Sequence, residues 1–271
     1  MRIIVLVKQI MDPSGITIRR DKERMFINRE EYVIGPASSA AIEAALRIKD
    51  TRPDDIQVIA LSLGPSRVDD ALREALAMGC DAAYQLTDPV FREADPSASA
   101  RILAAAVQRL AGADLIIAGV ASGDRGSGQL GPRLAELLNY RQVTAVFALE
   151  ASDSQVLATR RWRNGFARIA SPLPVVVSVA PEAFPARYPH GTRIMNAYRE
   201  WQVTAWDAKE LGLDGMDLAP LVVTRGESYP PPRESGEQFP GAPAVVAREV
   251  VTALRLQRLV DGEGHGLELP R

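Results

Sequence analysis

A single cysteine, Cys80, excludes an intramolecular disulfide and the stapled frameworks of small secreted domains. It sits in the run Gly79-Cys80-Asp81-Ala82, where a small buried filler is the expected role. Two histidines, His190 and His265, are too few for a His-rich metal site, and no metal is expected. Net charge is nearly absent: 32 Lys and Arg against 34 Asp and Glu leave −2. That balance supplies neither the basic surface that nucleic acid needs nor an acidic tail. Long hydrophobic runs are also lacking. The apolar stretch between Arg2 and Lys8 is too short for a signal-peptide core or a membrane span and reads as a first buried strand. The expectation is a soluble, cytoplasmic protein with no membrane insertion.

What is present is an ordinary globular balance, 46% apolar and 24% charged over 271 residues. The first two thirds alternate continuous apolar runs with amphipathic stretches, the pattern of a parallel sheet covered by helices. Strands are predicted at 3–7, 57–63, 82–86 and 114–119. Helices are predicted at 37–49, from a Ser66 cap to Met78 with Gly79 closing it, from Asp95-Pro96 to about 110, and at 129–138. The predicted fold class is α/β: a doubly wound, mostly parallel, Rossmann-like sheet with right-handed crossovers.

Beyond about residue 142 the pattern changes. Residues 143–149 and 155–169 read as longer, more exposed strands with Asn164-Gly165 as a hairpin signal, and 175–179 as a buried strand. Three prolines within 181–189 make that stretch a fixed surface loop. A domain of residues 1–226 is expected, then an extended C-terminal arm over 227–271. The arm comprises a stiff linker at 229–233, an amphipathic helix at 244–260 and a glycine-containing tail.

The richest stretch chemically runs from Gly119 to Pro132, between a predicted strand end and a helix start. It contains Gly119, Val120, Ala121, Asp124, Gly126, Ser127, Gly128, Gln129 and Leu130. Small residues let backbone approach a ligand, and free N–H groups at a helix start favour phosphate. Taken alone, a plain glycine-rich loop is an equal reading. It is neither a Walker A loop nor the dinucleotide glycine fingerprint. The turns at 8–12, 35–38 and 63–65 are expected to converge on the same sheet edge, making four loops around one crevice. No catalytic constellation is found. Ser38, Ser62 and Ser127 lack a nucleophile elbow, and no triad is formed with two scattered histidines. Trp162, Trp201 and Trp206 are expected to be packing residues rather than a base-stacking platform.

Four ordered segments carry a family resemblance. They are Val5 to Asp12, Leu72 to Asp81, the 114–119 strand with Asp124 and 127–137 after it, and Ala186-Arg187-Tyr188-Pro189 followed by Arg193-Ile194-Met195-Asn196-Ala197. Over nearly its whole length the chain resembles the electron-transfer flavoprotein β subunit (FixA-like) family. The resemblance implies an adenine-nucleotide hydrolase-like fold and a heterodimer with an α subunit that holds most of the redox FAD. It also implies either AMP or a second FAD in this chain, the latter with NADH-linked electron bifurcation. The nucleotide site it implies is lined by Leu6, Lys8, Gly35, Pro36, Ala37, Ser38 and Leu63 together with the residues of the 119–130 loop. The loop at 181–189 corresponds to the element that docks on dehydrogenases or quinone-linked acceptors, with Ala183, Phe184, Arg187 and Tyr188 as contacts. The sequence departs from the family at Gly35-Pro36-Ala37-Ser38-Ser39, at Val120-Ala121 and at Gly126, where charge and bulk are lost near the nucleotide. A stand-alone adenine-nucleotide sensor of the universal-stress type is the competing reading, since the same fold class would serve it. A substrate-adenylating enzyme is disfavoured for want of a pyrophosphate loop.

Overall fold

In the computed structural model the first strand, β1 (Arg2–Leu6), is covered on both faces. Ile3 and Val5 pack into one apolar layer, Ile4 and Leu6 into the other, and all four are buried. A strand covered twice has no need of polar residues at alternate positions, so the run is continuously apolar. The structure describes residues 1–19, 24–214, 218–222, 225–226 and 236–260. The chain divides into two units, 1–225 and 226–271.

The first unit continues with β2 (Gln9–Met11), β3 (Ile16–Arg19), β4 (Arg24–Ile27), β5 (Tyr32–Ile34) and the helix α1 (Pro36–Thr51). Then follow β6 (Gln57–Leu63), α2 (Val68–Met78), β7 (Ala82–Leu86), α3 (Pro96–Arg109), β8 (Leu115–Gly119) and α4 (Leu130–Leu138). The last third holds β9 (Arg141–Ala151), β10 (Gln155–Trp162), β11 (Gly165–Pro172), β12 (Val175–Val179), α5 (Gly191–Arg199) and β13 (Val203–Trp206). One nine-stranded sheet has the order β11-β10-β9-β12-β8-β1-β6-β7-β13. Neighbours from β9 to β13 pair in parallel; β10 is antiparallel to both β9 and β11. The fold is therefore the expected mostly parallel α/β sheet, with α1 and α2 in one apolar layer and α3 and α4 in the other.

The winding first reverses beside β1, and again later, where β12 inserts between β8 and β9 and β13 joins the far edge beside β7. From β1 the chain steps outward to β6 and β7, and then returns through α3 to place β8 on the other side of β1. The gap between the C-terminal ends of β1 and β8 is thus the topological switch point, where open α/β sheets take their ligands.

Local signals set several boundaries. Asp95 caps α3 by accepting from the Ala98 N–H at 2.8 Å, and Gly79 closes α2 with φ 143°. Ser66 does not cap α2. That helix starts at Val68 after Arg67, without a side-chain cap, because 65–67 form a tight turn with the Val68 N–H on the Pro65 carbonyl. In the β10–β11 hairpin, Trp162 pairs with Gly165. The two turn residues are therefore Arg163 and Asn164, with Arg163 at φ 50°, one place before the expected Asn-Gly.

The tryptophans divide. Trp206 is buried against Tyr84, at 4.5 Å between ring centroids, and Trp201 packs half-buried on the core. Trp162 is 56% exposed with the Arg160 guanidinium over its ring, so it is not a packing residue. The ribbons β2–β5 and β3–β4, inserted between β1 and α1, had no signature in the sequence. Their strands are three or four residues long, and β3 and β4 have hardly any buried residue.

In the second unit α6 (Pro243–Leu256) has apolar positions at helical spacing and stops four residues short of the expected 260. The linker at 229–233 and the tail at 262–271 lie outside the described residues. No helix among the described residues is long and apolar enough to cross a membrane.

Candidate functional site

At the end of β1 the backbone is clamped from three sides. The Ser62 hydroxyl donates to the Val7 carbonyl at 2.6 Å, the Lys8 N–H donates to Ser38 Oγ at 3.0 Å, and the Gly35 N–H donates to the Lys8 carbonyl at 2.9 Å. Ser38 is buried in the first turn of α1, so one hydroxyl ties the start of that helix to the turn after β1. Pro36 stands at the first helical position, where its missing N–H costs nothing. Gly35 and Pro36 do not follow a strand of the main sheet; they follow β5, which pairs only with β2.

β8 ends against this same turn. A Cβ on Gly119 would lie 2.5 Å from the Ala37 Cβ and 2.9 Å from its carbonyl carbon, so only glycine fits there. Beyond it, the Val120 N–H donates to the Val179 carbonyl, and the loop turns through positive φ at Gly126 and Gly128.

The two sides of the switch point are joined by charge. Lys8 Nζ lies 2.8 Å from the Asp124 carboxylate and 3.5 Å from Ser122 Oγ. Burial works to raise the Asp124 carboxyl. The hydrogen bonds from Lys8 and Ser122, the Lys8 charge and the Arg125 N–H outweigh it, holding Asp124 below its ordinary value. Both side chains remain about two-fifths exposed, 43% for Lys8 and 40% for Asp124.

Of the site residues expected from sequence, Lys8, Gly35, Pro36, Ala37, Ser38, Gly119 and Asp124 therefore form one contiguous wall. Leu6 is buried at the end of β1. Leu63 ends the neighbouring strand and is half-buried. That strand end is joined to the site by Ser62 and by Gln9 Nε2, which donates to the Arg67 carbonyl at 3.1 Å. Val120 and Ala121 are half-buried; Gly126, Ser127, Gly128 and Gln129 are exposed along the loop, and Leu130 opens α4. Gln129 accepts from the Arg133 guanidinium. Ser122, which shares Lys8 with Asp124, was not separable in the sequence from the other small residues around it. Among the described residues no group of His, Cys, Asp and Glu could hold a metal ion. A separate open cleft of about 910 Å³, lined by Arg2, Asp54, Asp55, Asp114 and Tyr140, lies at the strands' N-terminal edge, away from the switch point.

The four residues expected as contacts in the loop at 181–189 divide by exposure. Phe184 is only 5% exposed, beneath the Arg47 guanidinium, and cannot be an exposed aromatic anchor. Ala183 packs on the core. Arg187 turns inward: its Nε donates to Glu43 at 2.8 Å and its Nη2 to Asp50 at 2.7 Å. Tyr188, at 89%, is the exposed one of the four.

Comparison with known proteins bears on this geometry. The family model described as "Electron transfer flavoprotein domain" matches residues 25–211. The caffeyl-CoA reductase–Etf complex subunit CarD of Acetobacterium woodii is 32% identical over 265 residues, covering 96% of this chain and 100% of that protein. The electron transfer flavoprotein subunit beta of Bacillus subtilis is 31% identical over 262 residues, with the same coverage. The FixA protein of Azorhizobium caulinodans is 29% identical over 237 residues, 83% of each chain.

Proposed function

The chain belongs to the electron-transfer flavoprotein β-subunit (FixA-like) family, and from that premise we propose that it holds an adenine nucleotide at the β1/β8 switch point, either AMP or a second FAD. The observation that supports this is the convergence of Lys8, the first turn of α1 and Gly119 on one crevice. Lys8 supplies a cation that a phosphate can share with, or take from, Asp124. Gly119 lets β8 close on Ala37 in the first turn of α1, and the small loop residues at 126–128 leave a nucleotide room that side chains would fill.

In this reading the chain pairs with an α subunit that carries the redox FAD, and loop 181–189 faces a dehydrogenase or a quinone-linked acceptor. A flavin, when bound, supplies the electron chemistry. This chain's own residues position, neutralise and exclude water, and no acid, base or nucleophile is asked of them. The Glu43–Arg187–Asp50 clasp holds the docking loop against α1, whose first turn borders the nucleotide site.

The test is to co-express the chain with its α subunit, purify the complex, denature it and quantify the released nucleotides. Two FAD per heterodimer assign a second flavin to the switch point; one FAD with AMP assigns a structural nucleotide. A complex that yields neither nucleotide beyond one FAD removes the proposed site. A failure to co-purify with any α subunit, with ATP bound to the lone chain, would favour the nucleotide-sensor reading instead.

A further inference from the structure

Between the β2–β5 ribbon, α2 and α5 lies a cleft of about 440 Å³, separate from the nucleotide crevice and reached by the tip of the docking loop. Tyr32, Tyr188 and Tyr198 line it, and so do Asp70 and Glu74, one turn apart on α2. A like-charge pair at that spacing repels across the helix surface. Neighbouring cations do not relieve it. Arg73, the guanidinium in the cleft wall, pairs instead with Asp69 and donates to the Ala197 and Trp201 carbonyls. Among the described residues neither Asp70 nor Glu74 has an ion pair. The Asp70 carboxylate accepts from the Tyr198 hydroxyl at 3.4 Å, and burial, followed by that carboxylate, raises the Tyr198 phenol. Desolvation pushes the Glu74 carboxyl upward as well.

Val33, Ile34, Ala71, Ala77, Pro189 and Ile194 make the rest of the lining apolar, apart from Gln9. Gln9 spends its Nε2 on the Arg67 carbonyl and leaves Oε1 buried without a donor. The Tyr32 ring already carries the Arg67 guanidinium at 4.2 Å and the Tyr198 ring the Arg73 guanidinium at 5.5 Å, so what the cleft offers is the carboxylate pair and the exposed ring of Tyr188. That combination suits a donor-rich, planar positive group that can stack on a ring and bond several acceptors at once.

We propose that this cleft receives one basic side chain, arginine above all, from the protein on which loop 181–189 docks. The inference rests on the reading of that loop as the partner-facing element. Tyr188 joins the two: it is the exposed residue of the docking loop and also a wall of the cleft. A partner seated on the loop would thus find its first charge-selective contact beside it, and specificity would come from whether it presents a cation there.

The test uses the full chain, purified with its α subunit and carrying 3-fluorotyrosine, titrated with N-acetylarginine amide and with its neutral counterpart N-acetylcitrulline amide. The Tyr188→Phe and Tyr198→Phe variants assign the resonances. Saturable shifts of Tyr188 and Tyr198 with the arginine probe, absent with citrulline, are expected. The double variant Asp70→Asn/Glu74→Gln should weaken the arginine response about tenfold. Both carboxylates lie at the surface of α2, and removing a repulsive pair leaves the helix intact. Equal shifts with the two probes, no saturable shift, or an arginine response unchanged in the double variant would overturn the proposal. The nucleotides released from the same preparation report separately on the electron-transfer reading, so either idea can fail without the other.

Discussion

Arg187 reaches back to Glu43, 144 positions earlier in the chain, with its backbone N–H at 3.2 Å and its Nε at 2.8 Å from the same carboxylate oxygen. Glu43 is 5% exposed and also takes the Arg47 guanidinium at 2.8 Å. A carboxylate buried to that degree is stable only while its donors are in place. The Glu43–Arg187 contact therefore fixes where the loop at 181–189 sits.

Arg187→Ala is expected to cost about 2 kcal/mol, mostly from leaving Glu43 short of donors, with the half-exposed guanidinium limiting the loss. Urea unfolding would measure it, and limited proteolysis should cut first within 181–189. Glu43→Gln, which keeps an acceptor, should lose less.

The same pair carries a pH signature. Burial works to raise the Glu43 carboxyl, but hydrogen bonds from Arg187 and Arg47 and the Arg187 charge outweigh it, so the folded value lies below the ordinary one. A depressed carboxyl contributes stability that is present above its unfolded pKa and is lost as pH falls through the folded one. The stability gap between wild type and Arg187→Ala should hold at neutral pH and close below the ordinary carboxylate range. A gap that persists undiminished in acid would show that the charge is not what holds the loop.

Gly119→Ala places a methyl on the Ala37 backbone and forces α1 away from β8. A loss of about 2 kcal/mol is expected from overpacking, accompanied by loss of co-purifying nucleotide. Thermal melting and nucleotide quantification read the two effects separately.

Lys8 and Asp124 should divide by readout. Their pair is half-exposed, so breaking it changes stability by less than about 1 kcal/mol. Lys8→Met should weaken nucleotide retention about tenfold, and Asp124→Asn should retain or tighten it, because the cation is then released to the phosphate. Equilibrium dialysis against the nucleotide that the complex carries would decide. Equal losses in both variants would argue that the pair shapes the loop rather than the charge.

Cys80 is fully buried, and burial, first, with the Asp81 charge pushes its thiol up to about 12. It should stay unmodified by a thiol reagent in the folded protein at pH 8 and react at once in denaturant.

Much of this architecture was already legible in the amino-acid order. Runs such as Gln57–Leu63, Ala82–Leu86 and Val175–Val179 are strands to the residue, because a strand covered on both faces is mostly apolar, and its buried polar members Ser62, Gln85 and Ser178 each bond to backbone. Asp95-Pro96 and Gly79 punctuate helices by local hydrogen bonding and by φ, which no distant contact has to arrange. Tertiary structure decided the rest. The strands of the β2–β5 and β3–β4 ribbons are too short to leave a periodic trace, and Trp162 stays exposed beneath the Arg160 guanidinium instead of packing in the core. Phe184 and Arg187 look like exposed contacts in a proline-rich loop, yet one fills the core and the other neutralises a buried carboxylate far away in sequence. A residue's type states what it can bond. Which long-range partner it meets depends on the path of the whole sheet, and the reversal between β1 and β8 is what brings Lys8 to Asp124.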